Sequence, residues 1–224
     1  MAEMALGYGS EYQLLRYLGH HRMYLDSQIK KATGSNSPII WQDYPNDPQR
    51  DSKDGEWNGI DFLQYREDFG RIKAEWAKFW PTSGRAQAWD GIFEQNGILY
   101  LVEAKAHKKE MESECRAVPN SKEKIKEAFR KATGNKEQAE LWIDSHHYQL
   151  ANRLAFLHFC NDIVNIKARL CYIMFLNGYM FNEKKNVTSI KSFQEAWDDE
   201  CSALGLTHEQ RQKINTVYID CTKC

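Results

Sequence analysis

Residues 87–106 read QAWDGIFEQNGILYLVEAKA. Asn96-Gly97 stands between two β-rich runs, QAWDGIFEQ and ILYLVEAKA. Both turn residues tolerate positive φ, which is what a two-residue hairpin turn demands. The turn then sets the register: Gln95 faces Ile98, Glu94 faces Leu99 and, counting on, Asp90 faces Glu103. Lys105 lies two residues past Glu103 and points to the same side of the sheet. The stretch therefore predicts three ionisable groups on one face, at one end of a hairpin whose flanks (Ile92, Phe93, Leu99, Tyr100, Leu101, Val102) are apolar.

That arrangement is poor for stability alone. Opposed carboxylates repel, and apolar neighbours deny them water. A divalent cation with oxygen ligands supplies the missing counter-charge, and Mg²⁺ takes one or two carboxylates with waters and a substrate phosphate. Lys105 would then orient a water or offset charge on a phosphoryl group.

Outward from the hairpin, residues 10–31 are expected to form a helix on Leu14, Leu15, Leu18, Tyr24, Leu25 and Ile29. Residues 39–44 read as a short strand, 45–59 as a polar loop and 61–79 as a second helix closed by Pro81. Helices are expected at 121–132, 136–160, 191–204 and 207–214, a polar loop at 182–190, and strands at 168–176 and 216–220. The order implies an α/β (α+β) fold, a central mixed β-sheet flanked by helices. The 224 residues fit one domain. Its core is placed at about 60–177, with an N-terminal helical segment (1–59) and a C-terminal extension (178–224).

The 42% hydrophobic content excludes a disordered chain. A formal net charge of -1 means that any basic nucleic-acid surface must be local. Without a 20-residue apolar run or a basic-then-apolar N-terminus, the expectation is a cytoplasmic protein with free thiols. Asn186-Val187-Thr188, a sequon, then carries no meaning. Cys221-x-x-Cys224 is half a zinc site. The adjacent pairs His20-His21 and His146-His147 point about 100° apart on a helix and chelate poorly.

Trp89-Asp90, twelve residues, then Glu103-Ala104-Lys105 resembles the PD-(D/E)XK nuclease superfamily, although Trp89 stands at the motif's proline. The resemblance spans roughly residues 60–177. It implies a restriction-endonuclease-like core of a helix, a three-stranded antiparallel unit, a helix and a further strand. It also implies hydrolysis of phosphodiester bonds, with DNA as the expected substrate and Mg²⁺ or Mn²⁺ as the cofactor. Carried over, Asp90, Glu103 and the Ala104 carbonyl are the metal ligands and Lys105 is the catalytic lysine. Members often add an acid from the first core helix. Glu11 is preferred here, with Glu67 and Glu75 as alternatives. Some add a glutamine after the lysine strand: Gln149, with Gln138 as competitor.

Arg153, one turn after Gln149, is expected to hold a phosphate, with His107 and Lys108 beside the motif as further nucleic-acid contacts. Trp76, Phe79, Trp80 and Trp89 are expected to pack in the core. Double-strand cutting would call for two sites and so for a homodimer. The competing expectation is a nuclease-like module that binds nucleic acid or protein without cutting.

Overall fold

The computed structural model describes residues 9–44, 56–84, 86–178 and 189–223. Most of the expected loops at 45–59 and 182–190, the Asn186 sequon and Cys224 lie outside the described residues.

Asn96 (φ 54°) and Gly97 (φ 69°) both take the left-handed conformation and make the hairpin turn. They join β4 (Gly91–Gln95) to β5 (Ile98–Lys105). The ladder runs from Gln95↔Ile98 to Gly91↔Val102, the register that the turn dictates. Strand β1 (Ile40–Trp41) adds antiparallel to β4. On the other side, β6 (Ala168–Leu176) runs parallel to β5, and β7 (Ile214–Asp220) runs parallel to β6. The sheet is therefore mixed, in the order β1-β4-β5-β6-β7. The 178–224 segment is no appendage: its β7 completes the sheet. A separate two-stranded ladder pairs β2 (Trp57–Asn58) with β3 (Ala88–Trp89).

The parallel β5–β6 pair requires a long crossover. It is supplied by α4 (Pro119–Thr133), α5 (Lys136–Asp144) and α6 (Tyr148–His158). Pro119 opens α4 and Gly134, left-handed at φ 63°, ends it. Asn135 then caps α5 by accepting from the Glu137 and Gln138 amides.

Three expected helices are corrected. Residues 10–31 form two helices, α1 (Gly9–His20) and α2 (Arg22–Thr33), hinged at His21. The hinge lets Leu14 and Tyr17 of one and Leu25 and Ile29 of the other bury on the same core. The 61–79 segment opens as a 3₁₀ turn (Asp61–Leu63) and becomes helix α3 only at Phe69–Phe79. The 136–160 segment breaks at Ser145–His147 because Ser113 takes over the chain there. The Ser113 amide donates to the His146 carbonyl (2.6 Å) and its carbonyl accepts from the Tyr148 amide (3.1 Å).

Helix α7 (Ile190–Ala203) and the short α8 (His208–Gln212) lead into β7. Alternation along the strands splits the core in two. Phe93, Tyr100, Val102, Ala104, Ile173 and Phe175 pack with α1 and α2. Ile92, Leu101, Leu170, Tyr172 and Met174 pack with the remaining helices, together with the buried Trp76, Phe79, Trp80 and Trp89. Among the described residues no helix is long and apolar enough to cross a membrane, and Cys115, Cys160, Cys171, Cys201 and Cys221 are free thiols.

Candidate active site at the end of the hairpin

Glu103 and Lys105 sit on β5 facing α6, 2% and 4% exposed. Two buried charges survive only when paired and hydrogen-bonded. Lys105 Nζ donates to Glu103 Oε1 at 2.6 Å and to Gln149 Oε1 at 2.8 Å. Gln149 Nε2 donates back to Glu103 Oε1 at 2.7 Å and closes a triangle. Gln149 reaches it because the helix restarts at Tyr148, where the Gln149 amide donates to Ser113 Oγ at 2.7 Å.

Arg153, one turn on, donates from Nε to Glu103 Oε2 at 2.9 Å and from Nη2 to the Ala88 carbonyl at 2.7 Å. Its guanidinium lies 4.6 Å from the centre of the Trp89 ring. Trp89 is itself fixed by its Nε1–H on the Gly59 carbonyl and by an edge contact with Phe156. Expected as a phosphate ligand, Arg153 instead holds Glu103, because at 5% exposure its fork must satisfy a buried carboxylate.

Asp90 lies one residue beyond the β4–β5 ladder, where the chain bends into β3. It does not pair with Glu103 across the strands. Its Oδ2 accepts the Ala104 amide at 2.7 Å and continues the hairpin's hydrogen bonding by a side chain. Tyr44 holds the bend by donating its hydroxyl to the Asp90 carbonyl at 2.5 Å.

The electrostatics of the two carboxylates diverge. Burial, and then the charge of Glu103, pushes the Asp90 carboxyl well above the usual range, against Lys105 and the Ala104 amide. Burial also opposes ionisation of Glu103, but Lys105 and Arg153 outweigh it and hold that carboxyl below its ordinary value. Lys105 is likewise lifted, with Glu103 and Asp90 overcoming its burial, so it is a firmly charged donor.

Glu11 lies in the first turn of α1, where burial and then Glu56 raise its carboxyl. Burial first, and then the charges of Asp90, Glu56 and Glu11, raises the Tyr44 hydroxyl, so Glu11 lies within electrostatic reach of the residue that holds the Asp90 bend. Of the alternatives, Glu67 lies in an exposed turn and Glu75 pairs with Lys78 at 2.7 Å on the outer side of α3. Gln138 ties α5 to the Leu204 and Gly205 carbonyls. His107 lies 3.3 Å from Glu110 as a partly exposed pair, and Lys108 is exposed.

Sequence reasoning did not single out Tyr44, Ser113 or Glu200, and it read His147 only as half of a poorly chelating helical pair, whereas His147 lies at the break before α6. Each acts through a partner far along the chain, and no local pattern marks it.

Among the described residues no three His, Cys, Asp or Glu side chains gather as a ready metal cluster. The expected ligands, Asp90, Glu103 and the Ala104 carbonyl, offer oxygen alone, the donor chemistry of a hard ion such as Mg²⁺ and not of zinc, while Lys105, Gln149 and Arg153 already engage both Glu103 oxygens.

No protein-family model, no curated protein and no solved structure matches this chain.

Proposed function

We propose that the protein is a metal-dependent nuclease that hydrolyses phosphodiester bonds, with DNA as its substrate. The observation that carries this reading is the closed triangle of Glu103, Lys105 and Gln149 beside Asp90, buried at the end of the hairpin. The order of α1 and α2, antiparallel β1-β4-β5, a helical crossover and parallel β6 supports a restriction-endonuclease-like core.

Asp90, Glu103 and the Ala104 carbonyl would hold Mg²⁺ or Mn²⁺, which supplies the charge that polarises the scissile phosphate and its attacking water. The chain's own groups do the rest. Lys105 presents a fixed ammonium to the charge that builds on the phosphoryl oxygens. Its raised pKa suits it to that role and to orienting a water by hydrogen bonding, and not to removing a proton. Gln149 keeps the ammonium aimed, and Arg153 keeps Glu103 ionised. Lys108 and His107 lie past the end of β5, where flanking phosphates would pass. Two such sites in a homodimer would serve the two strands of a duplex.

The test is cleavage of supercoiled plasmid and of single-stranded DNA with Mg²⁺, Mn²⁺ or EDTA, beside Asp90→Ala. Metal-dependent cutting lost in the variant is the expected result. No cutting of either substrate by the folded wild type would end the reading.

One observation favours a second reading, a binding module that no longer cuts. Lys105 and Arg153 already neutralise Glu103 without any metal. Such a module would bind Mn²⁺ no better than Asp90→Asn does, which calorimetry decides.

A further inference from the structure

Glu200, near the end of α7, is 1% exposed. A buried carboxylate is costly unless fully partnered, yet Glu200 Oε2 has no hydrogen-bond partner. Its Oε1 lies 3.6 Å from His147 Nδ1, an ion-pair distance just beyond hydrogen-bond reach, and that ring nitrogen has no other hydrogen-bond partner. Helix α7 packs against the 3₁₀ turn Lys108–Met111 that follows β5, and its Trp197 ring meets Tyr172 at 5.1 Å. Tyr172 is the neighbour of Glu103 across the parallel β5–β6 pair. Glu200 is thus seated on the charged side of the sheet, and the charges acting on it are His147, Lys105 and Glu103.

His147 is the N-cap residue of α6, and its side chain makes no cap hydrogen bond. Its backbone bridges to Ser113, the residue that receives the Gln149 amide. Whatever fixes the His147 ring therefore fixes the first turn of α6, which carries Gln149 to Lys105 and Glu103. An apolar residue at 200 would fill the same space without the cost of a buried acid, so packing alone does not account for Glu200.

We propose that Glu200 and His147 form a buried brace that sets the start of α6 and holds Gln149 on the Glu103–Lys105 pair. Both are positioning residues of the site, and α7 belongs to it although it lies outside the 60–177 segment. The proposal rests on the site just described, but its decisive readout does not require that the protein cuts DNA.

The variants are Glu200→Gln, which keeps shape, and His147→Ala, which removes the ring from an N-cap position whose side chain makes no cap hydrogen bond. The side-chain amide protons of Gln149, identified by their loss in Gln149→Leu, are followed by NMR hydrogen exchange in the full-length protein. Exchange is expected to accelerate about tenfold in both variants, with cooperative unfolding retained. In a wild type that cuts, kcat is expected to fall about tenfold with KM held within about twofold.

Wild-type Gln149 exchange in whichever variant folds would overturn the brace, whether or not the protein is a nuclease. Accelerated exchange with unchanged kcat would overturn its role in the site. A wild type that cuts nothing would sink the nuclease reading and leave the exchange data to decide the brace.

Discussion

Along β5 the even-numbered side chains Tyr100, Val102 and Ala104 pack with Phe93, Ile173 and Phe175 beneath α1 and α2. The odd-numbered ones start apolar at Leu99 and Leu101 and turn charged at Glu103 and Lys105. Both faces are equally dry. On one, shape complementarity is the whole requirement. On the other, four polar side chains must find each other within a few tenths of an ångström, and each is costly alone. The contrast teaches that burial on this strand serves two ends. One face stabilises the sheet, while the other withdraws charges from water so that they act strongly on whatever enters.

The largest effect expected from breaking this contrast is in catalysis. Under the nuclease reading, Lys105→Ala should lower kcat by about 10²–10³-fold or more, while Ile173→Val, on the opposite face, leaves cleavage at the wild-type level. Equal losses in the two would mean that the faces are not functionally distinct.

Next comes stability. Glu103→Ala strands Lys105 and Arg153 as buried cations and should cost about 3–5 kcal/mol in urea unfolding. A cost under about 1 kcal/mol would show that the network is looser than its distances indicate.

Metal should stabilise in turn. At about 100 times its Kd, Mn²⁺ should add roughly 2.7 kcal/mol to the wild type and much less to Asp90→Asn, read by thermal unfolding with and without EDTA.

The two carboxylates should also differ in sign with pH. The Asp90 carboxyl is raised, so its contribution is fully present below the unfolded pKa and is lost as pH climbs through the folded value. Asp90→Asn should therefore gain on the wild type as pH rises above about 4. The Glu103 carboxyl is lowered, so its stability is present above the unfolded pKa and lost as pH falls through the folded value. Glu103→Gln should fall behind the wild type as pH rises to about 4, below the window in which Asp90→Asn gains, and hold a constant deficit above it. Parallel pH curves for the two variants would contradict both assignments. The smallest effect, about 0.5–1.5 kcal/mol, belongs to Ile173→Val, where only a methylene is lost from a packed core.

Much of the strand framework was legible. Asn96-Gly97 fixed β4 against β5 to the residue because a two-residue turn leaves no freedom in register. ARLCYIMFL marked β6 end to end. The juxtaposition of Asp90, Glu103 and Lys105 followed from counting, although the bend at Asp90 replaced the expected cross-strand pair by a hydrogen bond to the Ala104 amide.

Helix limits were less legible. Residues 136–160 keep an apolar period throughout, and the break before Tyr148 comes from Ser113, which is distant in sequence. That break places Gln149 and Arg153. The partner of Arg153 could not be read either, since an arginine one turn from a glutamine looks the same whether it awaits a phosphate or holds a carboxylate. Glu200 sits in WDDE, where neighbouring acids are solvated and nothing local distinguishes the buried one.

The two neighbours of β5 lie at very different distances along the chain. Strand β4 is joined to it by a two-residue turn, and β6 only after α4, α5 and α6. Hairpins close in roughly 1–10 μs, whereas a parallel pair waits for its long connection to be ordered. This difference in loop length predicts that Asp90, Glu103 and Lys105 come together while still in water, and that Arg153 and Gln149 join them only as α6 docks and β6 enters the sheet. The carboxylates would then be dehydrated as their partners reach them, an order that high φ-values in β4–β5 and low ones in α6 would bear out.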